Sequence, residues 1–255
     1  MNLLFIGDVV GESGCEFLEK HIYSIKKEYN IDFTIINGEN SAKGNGISPK
    51  SFDRLMQMGA DVITTGNHCF QRRESMDMFD VKENLLRPYN FPEGVVGRGI
   101  TTVDLGSTQI AVINLMGTVY MDSLDNPFFA MDKILEEINT PNIIVDFHAE
   151  ATSEKKAMGQ YLAGKVTAVI GTHTHVQTAD EQIIEDHTAY ITDAGMTGPE
   201  LSVLGVDTER AINKMKYHSP VHFIESENPC FINGVIISLD EKLGKATKIS
   251  RLIKR

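Results

Sequence analysis

The sequence predicts an α/β fold in which β-sheet layers are flanked by helices, and three observations predict it. Short runs rich in Ile, Val and Leu alternate with stretches of helical periodicity along much of the chain, as when helices cover a mostly parallel sheet. The last third changes character, with closely spaced apolar runs interrupted by one helical stretch. No repeat, low-complexity tract or linker interrupts the 255 residues, so residues 1–255 read as a single domain.

The elements follow in order. Leu3–Gly7 reads as a strand. Ser13-Gly-Cys-Glu16 has capping-box spacing, which predicts a helix from there to about Tyr29. Phe33–Asn37 is the next strand. Ser48 followed by Pro49 starts a helix running to about Met58. Asp61–Thr65 is a third strand, and residues 72–98 show no usable period. Thr101–Leu105 and Gln109–Leu115 form a hairpin around Gly106-Ser107. A helix lies within Asn126–Ile138, a strand at Asn142–Phe147, a helix at Ser153–Leu162 and a strand at Val166–Gly171. Apolar runs near 182–192, 221–225, 230–239 and 246–253 read as strands, with one helix at about 207–217.

Charge narrows the function. Lys+Arg number 24 against 35 Asp+Glu, a net charge of −11. Such a chain is a poor non-specific nucleic-acid binder, because duplex affinity rests on cations that neutralise phosphates. A small anionic substrate stays possible where bound metal ions supply positive charge. The opening MNLLFIGDVVGESG lacks signal-peptide character. No run approaches the ~18 apolar residues a membrane helix needs. Cys15, Cys69 and Cys230 form no CxxC pair and point to the reducing cytoplasm. The 11 methionines are scattered and read as core filling.

The polar residues carry the chemistry. Five apolar runs each end on a carboxylate, amide or imidazole: Asp8, Glu39-Asn40, Asn67-His68, His148 and His173-Thr-His175. In open α/β sheets ligands bind at that edge. Glycines before Asp8, Glu39 and Asn67 allow a tight turn and close backbone approach. Singly, each position has a plain reading, since Asn and Asp commonly follow strands as turn residues and a lone His is usually structural. Recurrence at five strand ends is what singles them out. Mixed oxygen and nitrogen donors suit Mn, Fe or Zn rather than Ca or Mg. With His68 set aside, seven candidates are too many for one ion and fit two, with Glu39 or Asp8 shared. Alternation predicts that His173 and His175 lie on one side of an extended segment. His21, His187, His218 and His222 have no such setting, and Lys43-Gly-Asn-Gly46 reads as a plain turn. Neither G-x-G-x-x-G, Walker A nor G-x-S-x-G occurs. Cys69 as a nucleophile explains less than metal activation of water.

FIGDVVG, INGEN, TTGNH, FHAEATSEK, GTHTHVQTAD and ITDAGMTGP together resemble the calcineurin-like metallophosphoesterases, and within them the YmdB-like bacterial branch. The resemblance runs end to end. It implies a four-layer α/β/β/α sandwich with a dinuclear centre, iron first and manganese or zinc as alternatives. It implies one metal held by Asp8, Glu39, Asn40 and His175, and another by Glu39, Asn67, His148 and His173, with Glu39 bridging. His68 is then an unligated proton donor. Water activated between the ions attacks phosphorus, and an imidazole suits the transfer of a proton to the departing alkoxide. The expected partner is a 2′,3′-cyclic nucleotide or related small phosphodiester, with no membrane. Phosphomonoesters, broader phosphodiesters or a regulatory cyclic-nucleotide-binding role are the alternatives. Val10 stands where the wider superfamily has His, Glu39 where it bridges with Asp, and Thr118 where the branch is expected to carry Arg. Apolar residues in the last third predict a homo-oligomer.

Overall fold

The first strand shows how the layers arise. β1 (Asn2–Ile6) is buried on both faces: Leu4 and Ile6 join one apolar cluster, Leu3 and Phe5 another. A strand hydrophobic on both sides must lie between two layers. A computed structural model describes residues 1–218 and 220–255. After β1 come β2 (Asp8–Val9), α1 (Gly11–Glu28), β3 (Phe33–Asn37), α2 (Pro49–Gln57), β4 (Val62–Thr64) and α3 (Met76–Val81). The chain continues through β5 (Ile100–Asp104), β6 (Gln109–Met116), α4 (Pro127–Glu137), β7 (Asn142–His148), α5 (Thr152–Tyr161) and β8 (Ala168–Thr172). It ends with β9 (Gln182–Ile184), β10 (Thr188–Ile191), β11 (Met196–Pro199), α6 (Thr208–Tyr217), β12 (Cys230–Asp240) and β13 (Lys245–Lys254).

One sheet has the order β2-β11-β12-β1-β3-β4, with β13 paired to β12; the other runs β5-β6-β7-β8-β10-β9. β1, β3 and β4 are parallel, as are β6, β7, β8 and β10. Leu4, Ile6 and Ile36 pack on Leu18 and Ile22 of α1 and on Phe52 and Leu55 of α2. Leu3, Phe5 and Ile35 meet Ile110, Val112, Ile144 and Ile170 of the other sheet. Ala111, Ile113, Val145 and Phe147 pack outward on Met131 and Ile134 of α4 and Met158 of α5. This is the α/β/β/α sandwich. Each aliphatic or Phe side chain so buried contributes about 1.5–3 kcal/mol.

Several local readings hold for the reasons given. Ser48 caps α2 through its hydroxyl, which accepts from the Ser51 N–H at 3.1 Å, while the Ser51 hydroxyl accepts from the Ser48 N–H at 2.9 Å. The hairpin closes where the Leu105 N–H meets the Thr108 carbonyl at 2.9 Å, with Gly106 at φ +82°. Asn126 caps α4.

Two readings need correction, and residues 72–98, which show no usable period, gain two short elements. The Ser13–Glu16 capping box does not form. α1 starts earlier, at Gly11, and its N-cap residue Val10 offers no side-chain cap. The N–H and hydroxyl of Ser13 donate to the carboxylate of Glu225, so an anion from a distant segment serves the positive end of the helix. Residues 221–225 form no strand: only Glu225 makes a bridge, to Val206. Residues 72–98 contain a 3₁₀ turn at Arg73–Ser75 and the short α3. The rest is shaped by Arg87, whose buried guanidinium donates to the carbonyls of Pro88, Tyr89, Val95 and Val96. Hydrogen bonding of that kind leaves no hydrophobic period to read.

Candidate metal centre

The ends of β1, β3 and β4 in one sheet meet those of β7 and β8 in the other, and all eight predicted residues gather there. Close packing depends on glycine. A Cβ on Gly66 would sit 1.9 Å from Glu39 Oε2 and 2.2 Å from His148 Cδ2. A Cβ on Gly7 would lie 2.1 Å from the Gly195 carbonyl oxygen. Neither glycine has positive φ, so the need is for close approach rather than an unusual turn.

Glu39 lies in the middle and is fully buried. Its Oε2 is 3.1 Å from His148 Nε2, and its Oε1 is 3.1 Å from His68 Nδ1. The His68 N–H donates to the same Oε1 at 3.2 Å. On one side, His148 Nε2 also lies 3.0 Å from Asn67 Oδ1 and 3.1 Å from His173 Nδ1. On the other, His175 Nε2 is 3.3 Å from Asn40 Nδ2 and 3.7 Å from Asp8 Oδ1. Asn40 Oδ1 is 3.0 Å from His68 Nδ1. His68 is about 30% exposed and stands at the rim.

The expected extended His173-Thr-His175 segment is a correction. β8 stops at Thr172, and His173 and His175 have φ of +99° and +64°. A coiled loop, not strand alternation, delivers the two imidazoles. Left-handed non-glycine residues persist only where the surroundings over-determine them, and here a buried ion pair does so. Lys155 Nζ donates to Asp193 Oδ2 at 2.7 Å, and the same oxygen accepts from the Thr174 N–H at 3.0 Å and hydroxyl at 2.7 Å.

Electrostatics match the packing. Burial opposes charge on Asp8, yet hydrogen bonding and attraction from His175, with His148 behind, hold its carboxyl well below the usual range. Burial likewise opposes charge on Glu39, and the His148 charge overcomes it, so its carboxyl is also lowered. Burial would lower His148, but Glu39 and then Asp8 push it up to about 9. Burial, with His148 beside it, brings His173 down to about 4. The Cys69 thiol is pushed up by burial, away from the thiolate a nucleophile needs.

Two buried oxygens, Asp8 Oδ1 and Glu39 Oε2, lack a well-formed hydrogen bond, their nearest partners being the imidazole nitrogens of His175 at 3.7 Å and His148 at 3.1 Å. An unsatisfied buried carboxylate oxygen is costly, and a cation is the partner that relieves it. Each lies beside an imidazole nitrogen and near a carboxamide, the mixed donor set that first-row metals accept. Among the described residues, no group of three His, Cys, Asp or Glu by itself forms an ion cage; the Asn40 and Asn67 carboxamides stand beside the His175 and His148 imidazoles. On that chemistry the residues fit a metal pair.

Sequence reading missed the residues behind the centre. His148 Nδ1 pairs with the Thr172 hydroxyl at 2.9 Å, and that hydroxyl donates to Asp146 Oδ1 at 2.7 Å. Asp146 Oδ2 accepts from Thr64 at 2.5 Å and from Asn37 at 3.0 Å. Burial pushes Asp146 up to about 7, although His148 and the two hydroxyls lower it. Asp146 was findable: it lies two residues before His148 on one strand, hence on the same face. Asp193 follows β10 as a sixth polar strand end and a third carboxylate among them. Glu150 Oε2, 3.1 Å from His173 Nε2, had no such signal. Thr118 engages Glu154, which accepts from its N–H at 2.9 Å and its hydroxyl at 3.2 Å. The Lys43–Gly46 turn is a turn, held by Arg72, which donates to the carbonyls of Lys43 and Asn45.

Two facing sheets with donors gathered at their strand ends define the class of metallophosphoesterases. A family model described as YmdB-like protein matches residues 4–252. A 2′,3′-cyclic-nucleotide 2′-phosphodiesterase of Bacillus subtilis is 48% identical over 99% of this chain and 97% of that protein. The chain belongs to the YmdB-like family. Two solved structures superpose with TM-scores of 0.94 over 99% of this chain. One is a hypothetical protein from Thermus thermophilus, 36% identical and covered over 98% of its length. The other is described as a novel phosphatase from Mycoplasma pneumoniae, 34% identical and covered over 92%.

Proposed function

We propose that this chain hydrolyses 2′,3′-cyclic nucleotides and related small cyclic phosphodiesters at a pair of metal ions. The observation that carries the reading is the two buried carboxylate oxygens of Asp8 and Glu39, which lack a well-formed hydrogen bond and face imidazole nitrogens of His175 and His148, with His173 beside His148. Asp8, Glu39, Asn40 and His175 would hold one ion, and Glu39, Asn67, His148 and His173 the other. An anionic phosphodiester does not approach two buried carboxylates unless cations neutralise them. When bound, the ions supply Lewis acidity that polarises the phosphoryl oxygens and acidifies water. The 48% identity to a 2′,3′-cyclic-nucleotide 2′-phosphodiesterase supports the substrate class.

The chain's own groups do the rest. Glu39 fixes the centre between both halves and accepts from the His68 N–H. His68 has Nδ1 turned to Asn40 and Glu39, which makes Nε2 the atom that hands a proton to the departing ribose oxygen. The Thr172–Asp146 chain orients His148, as carboxylate partners orient metal-binding imidazoles elsewhere.

Iron is the proposed metal, with manganese and zinc accepting the same donors. We read residues 1–255 as one domain, since one apolar cluster joins both sheets. Exposed Ile212 and Met215 on α6 support a homo-oligomer. No helix among the described residues is long and apolar enough to cross a membrane, and three free cysteines support a cytoplasmic location. The test is steady-state turnover, with iron or manganese added, of 2′,3′-cyclic AMP beside 3′,5′-cyclic AMP and p-nitrophenyl phosphate. The first is expected to react fastest and a chelator to abolish it. Preference for the monoester, or tight binding of cyclic nucleotide without turnover, contradicts the reading.

A further inference from the structure

Beside the centre lies a cavity of about 250 Å³ that Asn40 and His175 of the centre help to line. Leu204, Phe223 and Ile224, each between 44% and 47% exposed, also line it. The turn at Gly44 and Asn45 contributes to the lining as well. Three large apolar side chains left open next to a polar centre call for an occupant with a flat apolar face and a polar group at one end. Apolar walls with a few convergent polar groups are the usual make-up of small-molecule sites.

The apolar lining segment is held in place. The Asp207 N–H donates to the Ile224 carbonyl and the Ser226 N–H to the Gly205 carbonyl, both at 2.9 Å. Glu225 ties the segment to the first turn of α1 through Ser13. Gly205 lets it lie close on Val10, since a Cβ there would come within 2.6 Å of Val10 Cγ1. The Leu204 carbonyl reaches back to His175 Nδ1 at 3.2 Å. The same loop therefore walls the cavity and orients a residue of the centre. Lys214 Nζ stands 5.5 Å from the Phe223 ring centroid, which anchors that ring.

We infer that this cavity is the nucleobase subsite of the centre, in which Phe223, with Leu204 and Ile224, receives the base of a nucleoside phosphate whose phosphate lies towards Asn40 and His175. The inference rests on the reading of the centre as a nucleotide phosphodiesterase and names how it selects nucleotides. Stacking on an aromatic ring accepts any base, because every base has a π-face, so all four bases are accommodated.

The test is equilibrium binding to the metal-loaded protein, with adenosine 3′-monophosphate and ribose 3-phosphate as probes. The wild-type protein is expected to bind the nucleotide about tenfold or more tighter than the sugar phosphate, in line with the worth of one stacked base. Phe223→Ala is expected to erase that difference while leaving sugar-phosphate binding unchanged, and Phe223→Trp to keep it. Equal wild-type binding of the two probes overturns the inference. So does a Phe223→Ala protein that keeps the difference or weakens both probes alike. Because binding is read separately from turnover, a wild-type protein that binds the nucleotide selectively yet hydrolyses no cyclic nucleotide sinks the hydrolase reading and leaves the subsite standing.

Discussion

Glu39 divides the centre into an embedded half and a rim half, and they are supported in different ways. On the embedded side His148 is fully buried, and side chains of three strands brace it: Thr172 touches the ring, Asp146 holds Thr172, and Thr64 holds Asp146. On the rim side His175 sits on a left-handed turn, and its Nδ1 is held by a backbone carbonyl, that of Leu204. On the embedded side His148 is specified by side chains rooted in the sheets, while His173 comes from the same left-handed loop as His175. The rim half is specified by how loops pack, with the Lys155–Asp193 pair as their anchor. The sheet-braced geometry thus centres on buried His148, and the loop-borne geometry of His175 lies beside the adjoining cavity.

That contrast makes graded predictions. Glu39→Gln removes the carboxylate common to both halves. Metal content should fall on both sides, with activity down by more than about 100-fold, beyond the cost of losing an outer partner; elemental analysis beside an activity assay checks it. A metal-replete, active variant would erase the division itself. His68→Ala should lower kcat by about 10²–10⁴-fold, the usual worth of a general acid, with metal content unchanged. Lost metal would make His68 part of the rim half's donor set. Lys155→Met leaves Asp193 charged, buried and unpaired, which costs about 3–5 kcal/mol. Thermal unfolding should show the loss, and a neutral result would mean the His173–His175 turn needs no anchor. Asp146→Asn should weaken metal binding by about 10–100-fold. In a metal titration the loss should be confined to one of the two ions, and equal loss of both would show that the halves are not separately supported.

Much of this was legible beforehand, for identifiable reasons. Short, unbroken apolar runs mark strands buried on both faces, so β1, β3, β6 and β7 stood out. Ser48-Pro49 and Asn126 are local signals acting on their own helices. The donors were legible because each ends an apolar run. What escaped depends on partners distant in the chain. Ser13 looks like a cap, but Glu225, 212 residues away, takes the role. Phe223 and Ile224 look like strand residues because they are apolar, yet they wall a cavity and make no ladder. The His173–His175 turn looks extended, because spacing alone does not reveal the buried Lys155–Asp193 pair that holds it in left-handed backbone.

The central claim is that Glu39 stands between two metal ions. Anomalous scattering from a crystal of the metal-loaded protein tests it most directly. The account predicts two peaks flanking the Glu39 carboxylate, one among Asn67, His148 and His173 and the other among Asp8, Asn40 and His175. A single peak, or strong peaks away from Glu39, would contradict it.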